Sequence, residues 1–163
     1  MLPPAPRSVI ALTIAPNPRE PVVSRDSAAR DLASASYQRC CETPAFFQAF
    51  YRNFFTACPE AAPRFANTDF ERQHKLLRHA LGLLLLFPKQ PENDQTLLRR
   101  VAERHSRRDL NVPPALYAPF VDSLITTVRQ FDSAFTAEVE EAWRRTVDKG
   151  VTYMVSQYES RPT

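Results

Sequence analysis

Three polar side chains take positions on helix faces that are otherwise apolar, and each is of a type that can bind a ligand. His105 follows Leu98 and Val101 at helical spacing, which places its imidazole on the inner stripe of a helix. Gln73 and Tyr51 take similar positions on two other helices. A buried amide or phenol without a partner costs on the order of 1–3 kcal/mol. One polar group on each of three inner faces therefore favours a shared ligand cavity.

The alternative for His105 is a histidine of the core that is hydrogen-bonded and holds no ligand. The sequence shows no paired carboxylates at metal-ligand spacing and no Ser–His or Cys–His arrangement that points to nucleophilic catalysis. Two further histidines, His74 and His79, belong to the helix that carries Gln73, and their simplest interpretation is a surface or helix-flank position. The ligand-cavity hypothesis thus depends on His105, Gln73 and Tyr51 together.

The elements that must position these side chains are helices almost throughout. The pattern predicts helices over 26–42, 45–58, 70–87, 94–109 and 114–131, a helical turn over 59–65, and a last helix after Thr136. Thr43 with Pro44 is expected to begin the second helix, and Thr68 or Asp69 to cap the third. The last helix carries one inner stripe, made of Val139, Trp143, Val147, Met154 and Tyr158. No segment alternates as a strand does, and two glycines in the whole chain argue against a turn-rich β fold.

Composition and charge exclude several classes of function. A net charge of +3 with mixed acids and bases is low for a nucleic-acid binder, so we expect no nucleic-acid partner. The most basic segment, LLRRVAERHSRRDL, already uses its apolar face for His105. The apolar run of residues 81–87 is too short to span a bilayer, so no membrane association is expected. An odd cysteine count without metal-ligand spacing, together with the lack of a signal peptide, favours a cytoplasmic location without structural zinc.

The first 25 residues differ from the rest of the chain. They hold a dense set of prolines, which disfavours both helix and sheet. We therefore predict a flexible Pro-rich extension over residues 1–25 and one folded domain over residues 26–163.

The order of motifs from about residue 28 to residue 158 carries a family resemblance. The segments FYRNFF, RQHKLLRHALG, AERHS, LYAPFVDSL and EVEEAWRRTV follow one another in the order of the globin B, E, F, G and H helices. The chain thus resembles a bacterial single-domain globin, related to the globin domain of flavohaemoglobins. The resemblance implies an all-α globin fold, a three-over-three helical sandwich, that holds haem b and its iron.

The same resemblance assigns roles to individual residues. It implies that His105 is the proximal ligand of the iron, with its second nitrogen held by a carbonyl near Val101. Tyr51 and Gln73 correspond to the distal residues that face a bound gas. If the register were shifted by one residue, His74 would replace Gln73; Leu77 and the helix-crossing glycine Gly82 support Gln73. Positions that the resemblance implies for contact with haem are Phe65, Leu77, His105, Tyr117 and Val121.

The function that the resemblance implies is binding of O2, NO and CO. NO-dioxygenase activity with a separate reductase, or peroxidase-like activity, would use the same pocket, and the sequence does not separate them from O2 transport or sensing. The segment between His105 and Tyr117 is longer than in flavohaemoglobin-like globins, so this tyrosine is not expected to contact His105. The alternative function is a helical globin-fold sensor or regulatory protein that acts through a partner without haem.

Overall fold

The computed structural model describes residues 24–91 and 96–160 as a chain of helices. The six α-helices are α1 (Arg25–Cys40), α2 (Ala45–Ala57), α3 (Phe70–Leu86), α4 (Arg99–His105), α5 (Tyr117–Phe131) and α6 (Ala137–Ser156). Short 3-10 segments occupy Pro59–Phe65, Phe87–Lys89 and Pro114–Leu116. These two ranges contain no strand, so the all-α fold class is confirmed. The predicted extension lies outside the described residues, apart from Ser24 and Arg25 at the start of α1.

Side-chain hydrogen bonds explain where four of these helices begin. Ser24 Oγ accepts a hydrogen bond from the Ser27 amide at 3.1 Å, and Thr136 Oγ1 accepts one from the Val139 amide at 3.2 Å. Asp69 accepts hydrogen bonds from two amides at the start of α3, so Asp69 and not Thr68 is the cap of this helix. Thr43 Oγ1 likewise accepts a hydrogen bond from the Ala45 amide at 3.3 Å, so the start of α2 at Thr43 and Pro44 is as predicted.

Two helices near the predicted site differ from their predicted lengths. The helix that carries His105 was predicted over 94–109 but begins at Arg99 and ends at His105, because Ser106 has an extended backbone with ψ of 162°. The amides of residues 110–112 then bond to the carbonyls of residues 104–106. Tyr158 was predicted on the inner stripe of the last helix, yet α6 ends at Ser156 and Tyr158 lies in the turn that follows.

One continuous apolar core joins the helices. α1 packs mainly against α6 and α2 against α5, while α3 and α4 also contact α6. The largest fully buried side chains include Phe46, Phe50, Leu81, Leu124 and Trp143. Each such side chain stabilises the fold by roughly 1.5–3 kcal/mol through removal from water. Among the described helices, none has the length and hydropathy that crossing a membrane requires.

The resemblance implied a closely packed glycine at Gly82, but in the structure the closely packed glycine is Gly150. A Cβ added at Gly82 would meet no atom within 4 Å. At Gly150 the same atom would lie 2.5 Å from Leu84 Cδ2 and 2.9 Å from Leu98 Cδ1. Gly150 therefore leaves room on α6 for the side chains of Leu84, on α3, and of Leu98, which precedes α4.

Candidate functional site

Tyr51 is the centre of a cluster of rings between α2 and α3. Its side chain is buried, and its ring centroid lies 5.4 Å from that of Phe65, 5.5 Å from Phe70 and 5.8 Å from His74. Gln73 completes this group, which we call the Tyr51 cluster: Tyr51, Phe65, Phe70, Gln73 and His74. α2 contributes the tyrosine because its inner face is aromatic along its length, and α3 contributes the last three members from its first two turns.

One hydrogen bond joins two members of the Tyr51 cluster. Gln73 Nε2 donates to Tyr51 Oη at 2.9 Å. The phenol proton is then not used in this bond, and no acceptor for it occurs in residues 24–91 or 96–160. Burial raises the pKa of Tyr51 to about 12, against a smaller opposing effect of the Gln73 hydrogen bond, so the hydroxyl keeps its proton at neutral pH. The cluster thus presents one uncommitted O–H donor.

Gln73 and His74 both reach Tyr51, but in different ways. The Gln73 amide bonds to the hydroxyl, whereas the His74 ring stacks on the Tyr51 ring with an interplanar angle of 26°. His74 makes no side-chain hydrogen bond within the described part of the chain. His79, by contrast, is exposed, as its flank position predicts. The hydrogen bond favours Gln73 as the polar partner of Tyr51.

His105 lies at the last residue of α4 and is half-buried. Its Nδ1 lies 2.7 Å from the carbonyl oxygen of Val101, the contact that the sequence predicts. Because a carbonyl only accepts, Nδ1 must carry the proton, and the lone pair of a neutral ring is then on Nε2. Burial lowers the pKa of His105, and the Val101 hydrogen bond opposes this in part. The residue therefore offers a neutral imidazole with Nε2 available for a metal.

The loop after His105 is tied to the segment that carries Phe65. Arg64 Nη1 donates to the carbonyl oxygens of Asn111 at 2.8 Å and Leu110 at 3.3 Å. Asn111 has a positive φ of 51°, a conformation that asparagine tolerates better than most residues. Its side-chain oxygen accepts from the Tyr158 hydroxyl at 2.6 Å. One arginine thus holds the two segments that flank the Tyr51 cluster and His105.

The other residues predicted to contact a cofactor lie around the same core. Leu77 is buried, and Phe65 and Val121 are partly buried apolar side chains packed against it. Tyr117 begins α5 and is half-buried, and burial raises the pKa of its hydroxyl to about 12. Tyr117 has no hydrogen bond to His105 in the described residues, as the longer intervening segment predicts.

The structure brings the predicted polar residues together in two groups. The Tyr51 cluster is one group; His105 on α4 is the other, and no hydrogen bond or ring pair of residues 24–91 and 96–160 joins them. Within those residues no set of three or more His, Cys, Asp or Glu side chains could hold a metal ion. A metal at this site would therefore need a ligand set of its own in addition to His105, as a porphyrin supplies.

Sequence patterns did not indicate Arg64, Asn111 or Gly150. Arg64 and Asn111 form contacts over 47 residues of sequence, and a single arginine beside a proline carries no local signal. Gly150 could have been suspected, because a glycine inside an apolar-striped helix costs stability unless a neighbour approaches closely.

Within the described residues, Tyr51 lies on the second α-helix, Gln73 on the third and His105 on the fourth. The sequence model of the family described as Globin matches residues 48–154, and the chain belongs to the globin family. Members of this family generally bind haem.

A solved structure agrees with this assignment over most of the chain. It is the crystal structure of protein PA3967 of Pseudomonas aeruginosa PAO1, described as structurally highly homologous to a human hemoglobin. The two chains are 34% identical with a TM-score of 0.77, and the match covers 81% of this chain and 99% of the other. Among curated proteins no relative matches the chain. The globin fold predicted from the order of motifs is therefore confirmed.

Proposed function

We propose that this chain is a haem-b globin that binds O2, NO and CO, with His105 as the protein ligand of the iron. One observation carries the proposal: Nδ1 of a half-buried, neutral His105 donates to Val101, which leaves the Nε2 lone pair unused. Nε2 makes no hydrogen bond within the described residues, so its lone pair can be given to a metal. Haem, when bound, supplies an iron centre that binds small gases.

The side chains around His105 and Tyr51 fit an apolar, planar group. Phe65 and Val121 are packed on the core yet only partly buried, so apolar surface is available for such a group to cover. Leu77 adds a buried aliphatic side chain between the Tyr51 cluster and the core. In this proposal Phe65, Leu77, Tyr117 and Val121 exclude water and His105 fixes the orientation.

In this proposal Tyr51 and Gln73 contact the bound gas. The Tyr51 hydroxyl is protonated and uncommitted, so it donates to a ligand that acquires partial negative charge, as O2 does. Gln73 holds the phenol oxygen and thereby orients the proton. CO stays nearly apolar and gains less from the same donor.

The same site would support redox chemistry. NO and O2 combine to nitrate when one electron is supplied, and a separate reductase would supply it here. We also propose a cytoplasmic location, because Cys40, Cys41 and Cys58 are free thiols, which is typical of a reducing compartment.

Absorption spectra of the purified chain test the proposal, with His79 as the matched control. We expect a Soret band and about one iron per chain. His105→Ala should abolish stable haem incorporation, and added imidazole should restore it, whereas His79→Ala should leave the spectrum unchanged. A colourless protein that stays without haem after haem addition would favour a regulatory protein that acts through a partner. A native spectrum in His105→Ala would contradict the role of His105.

A further inference from the structure

The net positive charge of the chain is concentrated on α4 and the loop that follows it. The sequence has 21 basic and 18 acidic residues. Residues 99–110 contain five arginines and two acids, so the rest of the chain holds equal numbers of basic and acidic side chains. We call these five side chains the α4 arginine face: Arg99, Arg100, Arg104, Arg107 and Arg108.

The α4 arginine face is turned to solvent. All five arginines are exposed, while Leu98, Ala102 and Ser106 form the buried side of the same segment. Arg104 pairs with Asp109 at 2.7 Å and Arg107 with Glu159 at 3.3 Å. The other three arginines have no ion-pair partner in the described ranges.

The surface around this face is held in a fixed shape. A cleft of about 540 Å³ is lined by Arg107, Arg108, Tyr158 and Glu159. The Arg107 amide donates to the Tyr158 carbonyl at 3.1 Å, and the Tyr158 hydroxyl donates to Asn111. Leu110 beside it is 49% exposed. These hydrogen bonds fix the backbone beneath the α4 arginine face, while the exposed arginine side chains become ordered only when a partner binds.

We propose that the α4 arginine face is the docking surface for an acidic electron-donor protein. This inference rests on the proposed haem function, because the donor has a role only if an iron centre must be reduced. One electron would pass from a flavin or iron–sulfur centre of the donor and convert ferric to ferrous iron, with no bond made or broken in this chain. His105 belongs to the segment that carries the face, so a donor docked there lies beside the proposed iron ligand.

The composition of the face favours a protein over a nucleic acid or a membrane. α4 has seven residues, which is short for a helix that reads a DNA groove. Leu110 is the single large apolar side chain of residues 99–110 with high exposure, and a lipid surface requires more.

Charge reversal tests the docking surface with a matched control. The probe is a fluorescently labelled acidic flavodoxin, whose binding is followed by anisotropy and whose reduced form is mixed with the ferric protein in a stopped-flow instrument. The test variant combines Arg100→Glu with Arg108→Glu. The control variant combines Arg25→Glu with Arg52→Glu and changes the net charge by the same amount at two exposed arginines outside the face. At low ionic strength we expect the first pair to slow reduction and weaken binding about tenfold or more. The control variant should retain most of the reduction rate and of the binding affinity, and added salt should remove the difference between the two variants.

The outcome separates this inference from the haem proposal. Binding by anisotropy does not require haem, whereas reduction does, so a colourless chain that still binds flavodoxin through the face would contradict the haem proposal, and with it electron transfer, but not the docking surface itself. Equal losses in both variant pairs, or binding and reduction that do not depend on salt, would overturn the docking surface. Tighter binding of a DNA duplex than of flavodoxin at the same salt concentration would also overturn it.

Discussion

Two buried polar groups of this protein use their hydrogen-bonding capacity in opposite ways. Asp132, after α5, accepts from Ser36 Oγ at 2.6 Å, from the Arg39 guanidinium and from the Ala134 amide, and Ser36 accepts from Trp143 Nε1 at 2.9 Å. This Asp132 network is closed, since each of its side chains is paired inside the protein. Tyr51 accepts from Gln73 and leaves its own proton without an acceptor in residues 24–91 and 96–160.

The difference separates a structural group from a binding group. A closed network in the interior links α1, α5 and α6 through hydrogen bonds and has no free donor or acceptor that could bind a ligand. An open donor, in contrast, can bind a ligand that accepts its proton. We therefore expect substitutions in the Asp132 network to change stability and substitutions in the Tyr51 cluster to change ligand kinetics.

The largest expected effect on stability is that of Asp132→Ala. Its carboxylate is fully buried, so removal leaves Ser36, Arg39 and the Ala134 amide without their acceptor. Arg39 is 31% exposed and can be hydrated, so the loss is that of hydrogen bonds to a charged group, roughly 1.5–3 kcal/mol, which corresponds to a melting temperature lower by roughly 3 °C or more. Asp122→Ala is the matched control, because Asp122 pairs with Arg144 at an exposed site and should cost about 1 kcal/mol or less. Equal melting temperatures for the two variants would show that the network does not fasten the helices.

Acid should weaken the same network. Burial by itself would raise the pKa of Asp132, but hydrogen bonds from Arg39, Ser36 and the Ala134 amide outweigh it and lower the pKa from 3.8 to about 2. A lowered pKa stabilises the folded state above the unfolded value and loses this contribution as pH falls through the folded value. We expect the stability difference between the wild-type protein and Asp132→Asn to shrink by about 2 kcal/mol from pH 5 to pH 2. Denaturant titrations at both pH values measure it, and a constant difference would contradict the assignment.

Smaller effects should distinguish Gln73 from His74. Loss of a neutral hydrogen bond is worth about 0.5–1.5 kcal/mol, so Gln73→Leu should speed O2 release by up to roughly tenfold. His74→Leu removes only a stacked ring and should change the rate less. Stopped-flow dissociation compares them directly. If His74→Leu has the larger effect, the register of α3 is shifted by one residue and His74 is the distal residue.

Sequence periodicity was sufficient to predict that the helices exist and that Tyr51 and Gln73 lie on inner helix faces, but not where α4 begins and ends. Aromatic residues on one face of α2 and polar residues on the inner face of α3 follow a period that local reasoning detects. The Val101 contact of His105 was also predictable, because it lies one helical turn away. The hydrogen bond from Gln73 to Tyr51 was not predictable, since it depends on the relative placement of two helices.

Long-range contacts explain most of what the sequence did not indicate. Asp132 and Ser36 are separated by 96 residues, and neither belongs to a motif. Gly150 contacts the side chains of Leu84 and Leu98 from distant segments, so its role is visible only after α3, α4 and α6 are packed. The early end of α4 follows from amides of residues 110–112 that bond back to it, which helix propensity alone does not predict.

The most direct measurement of the central claim is the rate of O2 and CO release from Tyr51→Phe. The claim is that the Tyr51 proton is kept for a ligand that carries negative charge. A hydrogen bond to such an acceptor is worth about 1.5–3 kcal/mol, so its loss should speed O2 release roughly tenfold to a hundredfold and CO release much less. Tyr37→Phe is the control, because the Tyr37 hydroxyl already donates to the Arg78 carbonyl at 2.8 Å, and it should leave both rates unchanged. Unchanged O2 release in Tyr51→Phe, or equal acceleration of O2 and CO release, would contradict the claim.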